Sequence, residues 1–343
     1  MQPEVSILIP FRNEKRRIVR CLESLLASSY SLEKCEVIFI NGNSTDSSDT
    51  IVSERMFAFP HAVLLNNKQA CVPSSLNLAL RVASGRIILR MDAHCEYPID
   101  YVESCLSELE RTGAGNVGGV LLTRPGKENW VSRCIGLLSQ HRLAVGNSAF
   151  RLGQGSRFVD TVPFGAFRRE VFDVIGPFRE DLQRNQDYEL NSRLRSAGYK
   201  LFLSSRIRIT YYNSSNIMDY FRQACVNGHY AVRSWFINRS SFCWRHATPM
   251  AFVLAGSAMV LLSIFDKTAL ILTSILVLAY ALVIIYVGIS LAFRQNWRFA
   301  ILAPPIICGY HVCYGFSTLL EGIRTTTSFL GNAVRHSDES IFN

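Results

Sequence analysis

Two short stretches of this chain hold side chains whose types and spacing suit chemistry. Asp92-Ala93-His94 follows the apolar run Ile87–Met91. Two metal-capable groups one residue apart at a strand end can share one divalent ion, and such an ion can neutralise a diphosphate leaving group. The second stretch is Gln186-Asp187-Tyr188-Glu189-Leu190, with Arg193 and Gly198-Tyr199 behind it. An Asp at a helix start facing a cleft can act as a general base on a hydroxyl, a role worth about 10²–10⁴ in rate. Taken alone, each has a plainer reading: a capping Asp beside a surface His, and a helix N-terminal acid stabilised by the macrodipole. Glu189, two residues from Asp187, points elsewhere on a helix and reads as structural rather than as a second base. His141, His229 and His311 have no partner pattern and read as packing or surface residues.

Elements must hold these groups. Val5–Ile9, Glu36–Ile40, Ala62–Leu65 and Ile87–Met91 are short apolar runs of the buried-strand kind. Between them, helical spacing runs from Glu14 to about Ser28 through Ile18, Cys21, Leu22, Leu25 and Leu26. A further helix spans Ser75–Ala83, with Ser74 as its cap and Gly85 as its C′ residue. Alternating strands and helices predict an α/β domain with a parallel sheet covered on both faces. In such sheets ligands bind at the carboxyl ends of the strands. Pro10–Glu14, Asn41–Asp46 and Asp92–His94 all fall at strand ends. Beyond them come a Gly-rich segment (113–119), a helix around Trp130–Leu143, helical stretches at Arg168–Ile175 and Asp187–Ser196, and a strand at Lys200–Ile209.

The 343 residues are 49% hydrophobic on average, but charge nearly vanishes between Met250 and Ile323. That shift puts a boundary near Ala247–Pro249. Residues 1–215 then form a catalytic domain, 216–247 an amphipathic helix and membrane junction, 248–323 about three membrane helices, and 324–343 a tail. Met218–Ile237 mixes aromatic and basic residues; a helix lying in the bilayer interface and a core helix both fit this pattern. Of the apolar stretches, Met250–Phe265 is short, Thr268–Phe293 is long enough to span with tilt, and Phe299–Ile323 carries Pro304-Pro305, so that it either spans or is broken. Asp266-Lys267 leaves room for a tight hairpin.

Arg294 and Arg298 place the next connection in the cytoplasm by the positive-inside rule. Met1–Glu4 has neither the basic nor the apolar region of a secretory leader, which predicts the same side for the catalytic domain. The ten cysteines lack metal-ligand spacing and read as reduced packing residues. A net charge of +9 suits an anionic leaflet and phosphorylated substrates. The absence of basic runs argues against nucleic acid.

Together the motifs resemble an ordered family set. Val5-Ser6-Ile7-Leu8-Ile9-Pro10-Phe11-Arg12-Asn13-Glu14 is similar to the opening of family 2 glycosyltransferases, and Asn41-Gly42-Asn43-Ser44-Thr45-Asp46 to their second-strand turn. Asn77 in Leu76-Asn77-Leu78-Ala79, Asp92–His94 and Asp187 fit the third, metal and base motifs. Met91-Asp92-Ala93-His94, Asp160-Thr161-Val162-Pro163-Phe164-Gly165, Asn185–Leu190 and Arg245-His246-Ala247-Thr248-Pro249 resemble the ExoA-like subgroup of exopolysaccharide glucosyltransferases.

The resemblance implies a GT-A fold, Rossmann-like with a mostly parallel sheet, followed by a helical transmembrane region. It implies that Pro10, Arg12 and Glu14 line a nucleotide pocket, with Asn41 where the family usually has an Asp contacting uracil. Lys68 could reach the diphosphate and Asn77 could shape the donor pocket, against readings as a solvated and a capping residue. Asp92 and His94 would hold Mg²⁺ or Mn²⁺, and Gly165 would keep the acceptor side open. Asp187 would deprotonate the acceptor hydroxyl, and Arg245 and His246 could contact phosphates at the membrane junction.

The implied activity is inverting transfer from a nucleotide-sugar, a UDP-sugar by the family pattern, to a hydroxyl of a lipid-linked saccharide. It would run at the inner membrane, in a multi-pass chain touching membrane lipids. A polyprenol-phosphate glycosyltransferase would need no hydroxyl base like Asp187. A processive synthase lacks support, since Gln-x-x-Arg-Trp is absent. A non-catalytic sugar-nucleotide sensor or scaffold would have no reason to keep Asp92 and Asp187.

Overall fold

The computed structural model describes residues 3–153, 155–241 and 244–339, with backbone alone at Arg245, His246 and 328–339. The Arg245 and His246 side chains, expected at the membrane junction, lie outside the described residues. The chain divides into two compact units: Met1–Gly126 with Asn147–Asn213, and Lys127–Gly146 with Ser214–Asn343.

Among the described residues, nine strands of the first unit share one sheet. They are β1 (Val5–Phe11), β2 (Cys35–Asn41), β3 (Ala62–Asn66), β4 (Ile87–Arg90), β5 (Cys95–Glu96), β6 (Asn116–Arg124), β7 (Arg157–Val159), β8 (Gly165–Arg168) and β9 (Leu201–Tyr212). Their order is β3-β2-β1-β4-β8-β6-β9-β5, with β7 beside β9. The four strands read from sequence are parallel, β1 meeting β2 from Val5 opposite Cys35 to Phe11 opposite Asn41. β8 then runs antiparallel to both β4 and β6, which makes the second half mixed. Strand alternation sends Ile7 and Ile9 to one face and Leu8 to the other. Helices Ile18–Leu26 and Tyr101–Thr112 cover the first face; Val72–Val82 and Gln186–Ser196 cover the second.

Local details differ from the expectations. β1 continues through Pro10, which has no N–H to give but keeps its carbonyl. The third-motif helix begins at Val72 with Cys71 as its cap, and the Ser74 and Ser75 hydroxyls donate back to the Cys71 carbonyl at 3.1 and 2.9 Å. Gly85 is not a left-handed helix end. A Cβ there would lie 2.6 Å from the Ser6 nitrogen, so its lack of a side chain lets the chain pass against β1. The Gly-rich segment supplies β6, where a Cβ on Gly118 would stand 2.7 Å from Val162 Cβ. Glycine runs read as loops because they hide the apolar alternation that marks a strand.

Helix Trp130–Leu138 lies inside the 1–215 stretch expected as one domain, yet it belongs to the second unit. The cause is packing: Cys134, Ile135 and Leu138 bury with Val287, Leu291, Phe299 and Ala303. Helix Ile217–Ile237 starts at a cap in which Asn216 Oδ1 accepts from Asp219 N–H at 2.8 Å. It turns small residues inward, and a Cβ on Gly228 would lie 2.5 Å from the Tyr314 carbonyl oxygen. Asp266 caps helix Lys267–Arg294 by accepting from the Thr268 and Ala269 N–H groups, which closes the expected hairpin.

Helix Arg298–Glu339 runs unbroken through Pro304 and Pro305. Lys267–Arg294 and Arg298–Thr327, with mean hydropathies of 2.7 and 1.4, are long and apolar enough to cross a membrane. The remaining apolar helix, Ala247–Leu262, is shorter. By length and composition, then, two of the three expected spans qualify.

Candidate active site

The site is assembled at the carboxyl ends of β1, β2 and β4. Loops after β1 and β2 are laced together. Asn13, at a φ of 55°, accepts from Thr45 N–H at 2.7 Å, while its own N–H donates to Ser44 Oγ at 3.1 Å. Glu14 N–H donates to Ser48 Oγ at 2.8 Å, and Lys15 N–H to Asp46 at 3.0 Å. Asn41, in the last register of β2, is buried. Its Oδ1 accepts from Ser44 N–H at 2.9 Å and its Nδ2 donates to Asn66 at 3.1 Å. Arg12 is exposed and reaches the Ala70 carbonyl at 3.2 Å, beside the loop that carries the exposed Lys68. Pro10 is buried in β1 and contributes backbone rather than a reaching side chain.

The segment after β4 is fixed from both sides. Tyr97 Oη accepts from Asp92 N–H at 2.5 Å, and β5 pairs Cys95 with Tyr211. Between these anchors, His94 Nδ1 meets Asp92 Oδ1 at 2.6 Å and Glu14 Oε1 at 3.5 Å. Burial opposes the charge on Asp92, but the His94 cation and then Arg90 outweigh it and pull the carboxyl down to about 2. Burial likewise opposes the imidazolium, yet the Asp92 charge raises His94 well above its ordinary range.

Among the described residues no cluster of three or more His, Cys, Asp or Glu forms a closed metal cage. The donor set fits a divalent cation only once His94 gives up the proton that pairs it with Asp92, since a ligating imidazole must be neutral. One carboxylate and one imidazole converge, and Mg²⁺ is ordinarily held by one or two carboxylates plus substrate phosphate oxygens rather than by an all-protein cage.

Asp187 stands in the first turn of helix Gln186–Ser196, after Asn185 at a φ of 61°. Its carboxylate is paired with Arg90 Nη1 and accepts from the Phe164 backbone N–H. The side chain remains 22% exposed, whereas that of Arg90 is 4% exposed. Burial raises the Asp187 carboxyl above its ordinary range, although the Arg90 cation opposes the rise; the Asp92 charge adds to it. Glu189 is buried and forked to Arg193 with both contacts at 2.8 Å, a structural role as expected.

Two expected contributors are used differently. Asn77 brackets the Phe178 backbone, donating to its carbonyl and accepting from its N–H, each at 2.8 Å; it also donates to Glu180 at 2.8 Å. Its amide therefore secures the segment ahead of the Asp187 helix instead of facing a donor. Gly165, at a φ of 104°, is adjacent to Asn116, whose Oδ1 a Cβ would strike. Asn116 donates to Asn191 at 2.9 Å, and Asn191 donates to Thr161 at 2.9 Å and to the Val162 carbonyl at 2.8 Å. That buried network ties the Asp187 helix to the strand β6 and the 161–165 turn.

Sequence reasoning missed Arg90, Tyr97, Phe164, Asn116 and Asn191. For Arg90 a signal existed: it is the single charged residue within the apolar run Ile87–Met91.

Residues 6–176 match the family model described as glycosyl transferase family 2. The chain is 26% identical to the succinoglycan biosynthesis protein ExoA of Rhizobium meliloti (strain 1021), over 71% of this chain and 74% of that protein. It is 24% identical to a dolichyl N-acetyl-alpha-D-glucosaminyl phosphate 3-beta-D-2,3-diacetamido-2,3-dideoxy-beta-D-glucuronosyltransferase of Methanococcus voltae, over 94% of this chain and 98% of that protein. Among solved structures, a mannosyltransferase of Pyrobaculum calidifontis in complex with GDP-Man and Mn²⁺ superposes with a TM-score of 0.61 at 18% identity. That likeness covers 92% of this chain and 87% of that one, and shows the GT-A fold.

Proposed function

The chain belongs to glycosyltransferase family 2, and from that premise we propose inverting, metal-dependent transfer of a sugar from a nucleotide-sugar to a hydroxyl of a lipid-linked saccharide. The reading is carried by one observation: Arg90 touches the Asp187 carboxylate and also draws down the Asp92 carboxyl, so base and metal motif share one sheet edge. Pro10–Glu14 and Asn41 border the nucleotide, and uracil, carried as UDP, is the base we assign. Asn41 offers an amide where a carboxylate would otherwise accept the uracil N–H. Lys68 is free to reach for the diphosphate.

Held by Asp92 and His94, Mg²⁺ or Mn²⁺ would neutralise charge on the departing diphosphate. Asp187 takes the proton of the acceptor hydroxyl as that oxygen attacks the anomeric carbon opposite the nucleotide, which inverts its configuration. The Methanococcus relative, matched over nearly its whole length, is named for a sugar acceptor on a dolichyl phosphate, which supports a lipid-linked acceptor here. The two apolar helices support work at a membrane; we assign it to the inner membrane, in a multi-pass chain with its catalytic unit in the cytoplasm, on the positive-inside placement of Arg294 and Arg298.

Replacement of Asp187 by Asn is the test. Transfer to a lipid-linked acceptor should fall by roughly two to four orders of magnitude, the range for a lost general base, with donor binding by calorimetry unchanged. A chelator should abolish transfer in the wild-type chain, and added Mn²⁺ should restore it. Near wild-type transfer by Asp187→Asn discards the base; full activity after chelation discards the metal.

A further inference from the structure

We propose that Arg90 is a positioning residue for the base: it holds one oxygen of the Asp187 carboxylate and thereby fixes how the acceptor hydroxyl must approach. This rests on Asp187 being the proton acceptor.

The setting makes Arg90 an unlikely passenger. β4 is buried at all four of its positions, with β1 on one side and β8 on the other. A guanidinium in such a strand is costly unless paired, and an apolar side chain of similar volume often serves stability as well or better. The contact joins residues 97 apart in sequence, through Nη1 alone, and Nε has no partner among the described residues. A pair formed for stability would favour the two-pronged fork that Arg193 makes with Glu189.

The second holder of the carboxylate comes from the same register. Gly165 is the partner of Arg90 across β4 and β8. Phe164, just before it, sits at a φ of 57°, a costly conformation for a bulky residue. Its N–H donates to Asp187, and its ring lies 5.3 Å from the Arg90 guanidinium carbon. One side chain from β4 and one strained peptide entering β8 thus hold the same group. Backbone strain of this kind persists where the surroundings over-determine it, and here it aims a donor at the base.

A double-mutant cycle on the full-length chain in membranes tests this. Arg90→Gln, Asp187→Asn and the double variant are compared for kcat and donor KM, using whichever of UDP-glucose, UDP-N-acetylglucosamine and GDP-mannose the wild-type chain turns over. Arg90→Gln should lower kcat about 10- to 100-fold, as misplacement of a reacting group does, with donor KM within about twofold. In the Asp187→Asn background the same change should cost nothing further, because Arg90 acts through Asp187. An equal loss in both backgrounds, or a raised KM at unchanged kcat, overturns the positioning role. If Arg90→Gln fails to fold, Arg90→Met carries the test: it keeps an unbranched side chain in the buried strand without any donor to the carboxylate, so lowered kcat with intact donor binding supports the role and wild-type kcat overturns it. Should Asp187→Asn itself transfer normally, the base assignment fails; should it be impaired while Arg90→Gln is not, only the inference about Arg90 fails.

Discussion

Burial drives the Asp187 carboxyl above the ordinary carboxylate range even against the pull of Arg90, with the Asp92 charge adding to the rise. A base must be ionised to accept a proton. Lowering the pH should therefore switch transfer off through a midpoint above the value of about 3.9 typical of a free Asp. Full rate should be present above that midpoint and lost below it. A kcat–pH profile checks this: Asp187→Asn should abolish the acid limb, and an unchanged limb in that variant would assign it to another group. At this scale the sequence was partly legible. Asp92, His94 and Asp187 stand out because their side chains bear chemistry. Arg90, Phe164 and Asn116 act through contacts that only the folded sheet creates, across separations such as the 97 positions between Arg90 and Asp187.

Strands β1 to β4 could be read to within two residues, since their apolar periodicity is strong, whereas helix Ile18–Leu26 starts four residues later than the expected Glu14. Ile18, Cys21, Leu22 and Leu25 are buried as that spacing implies, but Leu26 is exposed. β6 could not be read, because its glycines serve close approach to Val162 and Ile207. Gly85 was visible but misread, and it makes a direct test. Its N–H donates to Ser6 Oγ at 2.9 Å and to Glu36 at 3.1 Å, so the chain there cannot retreat without losing both bonds. Gly85→Ala should destabilise the chain by about 1–3 kcal/mol, the usual cost of overpacking. Denaturant unfolding of the detergent-solubilised chain would measure it. A change within about 0.5 kcal/mol, typical of an open surface site, would mean that the chain beside β1 relaxes freely.

For the molecule as a whole, the hairpin that Asp266 closes has a consequence in parity. A chain that leaves one side of a bilayer and returns to it must cross an even number of times. The first unit is expected in the cytoplasm, and so is the connection between Arg294 and Arg298. Helix Lys267–Arg294 is long and apolar enough to supply one crossing between them. Evenness then requires a second, and the helix available is Trp244–Leu262, which the apolar-length criterion passes over. Its apolar part, Ala247–Leu262, extends about 24 Å at 1.5 Å per residue, roughly 6 Å short of a hydrocarbon core of about 30 Å. Such a helix has no length to spare for tilt, and local thinning of the bilayer makes up the difference. Lys267→Cys should accordingly react with an impermeant maleimide added outside intact cells, while Gln295→Cys should react only after permeabilisation. Labelling of Gln295→Cys from outside, with Lys267→Cys protected, would either reverse the sidedness of the whole chain or leave the short helix uncrossed and the count odd, with the unit bearing Asp187 and the arginine-flanked connection in opposite compartments. Protection of both would leave helix Lys267–Arg294 itself uncrossed, with both of its ends on the cytoplasmic side.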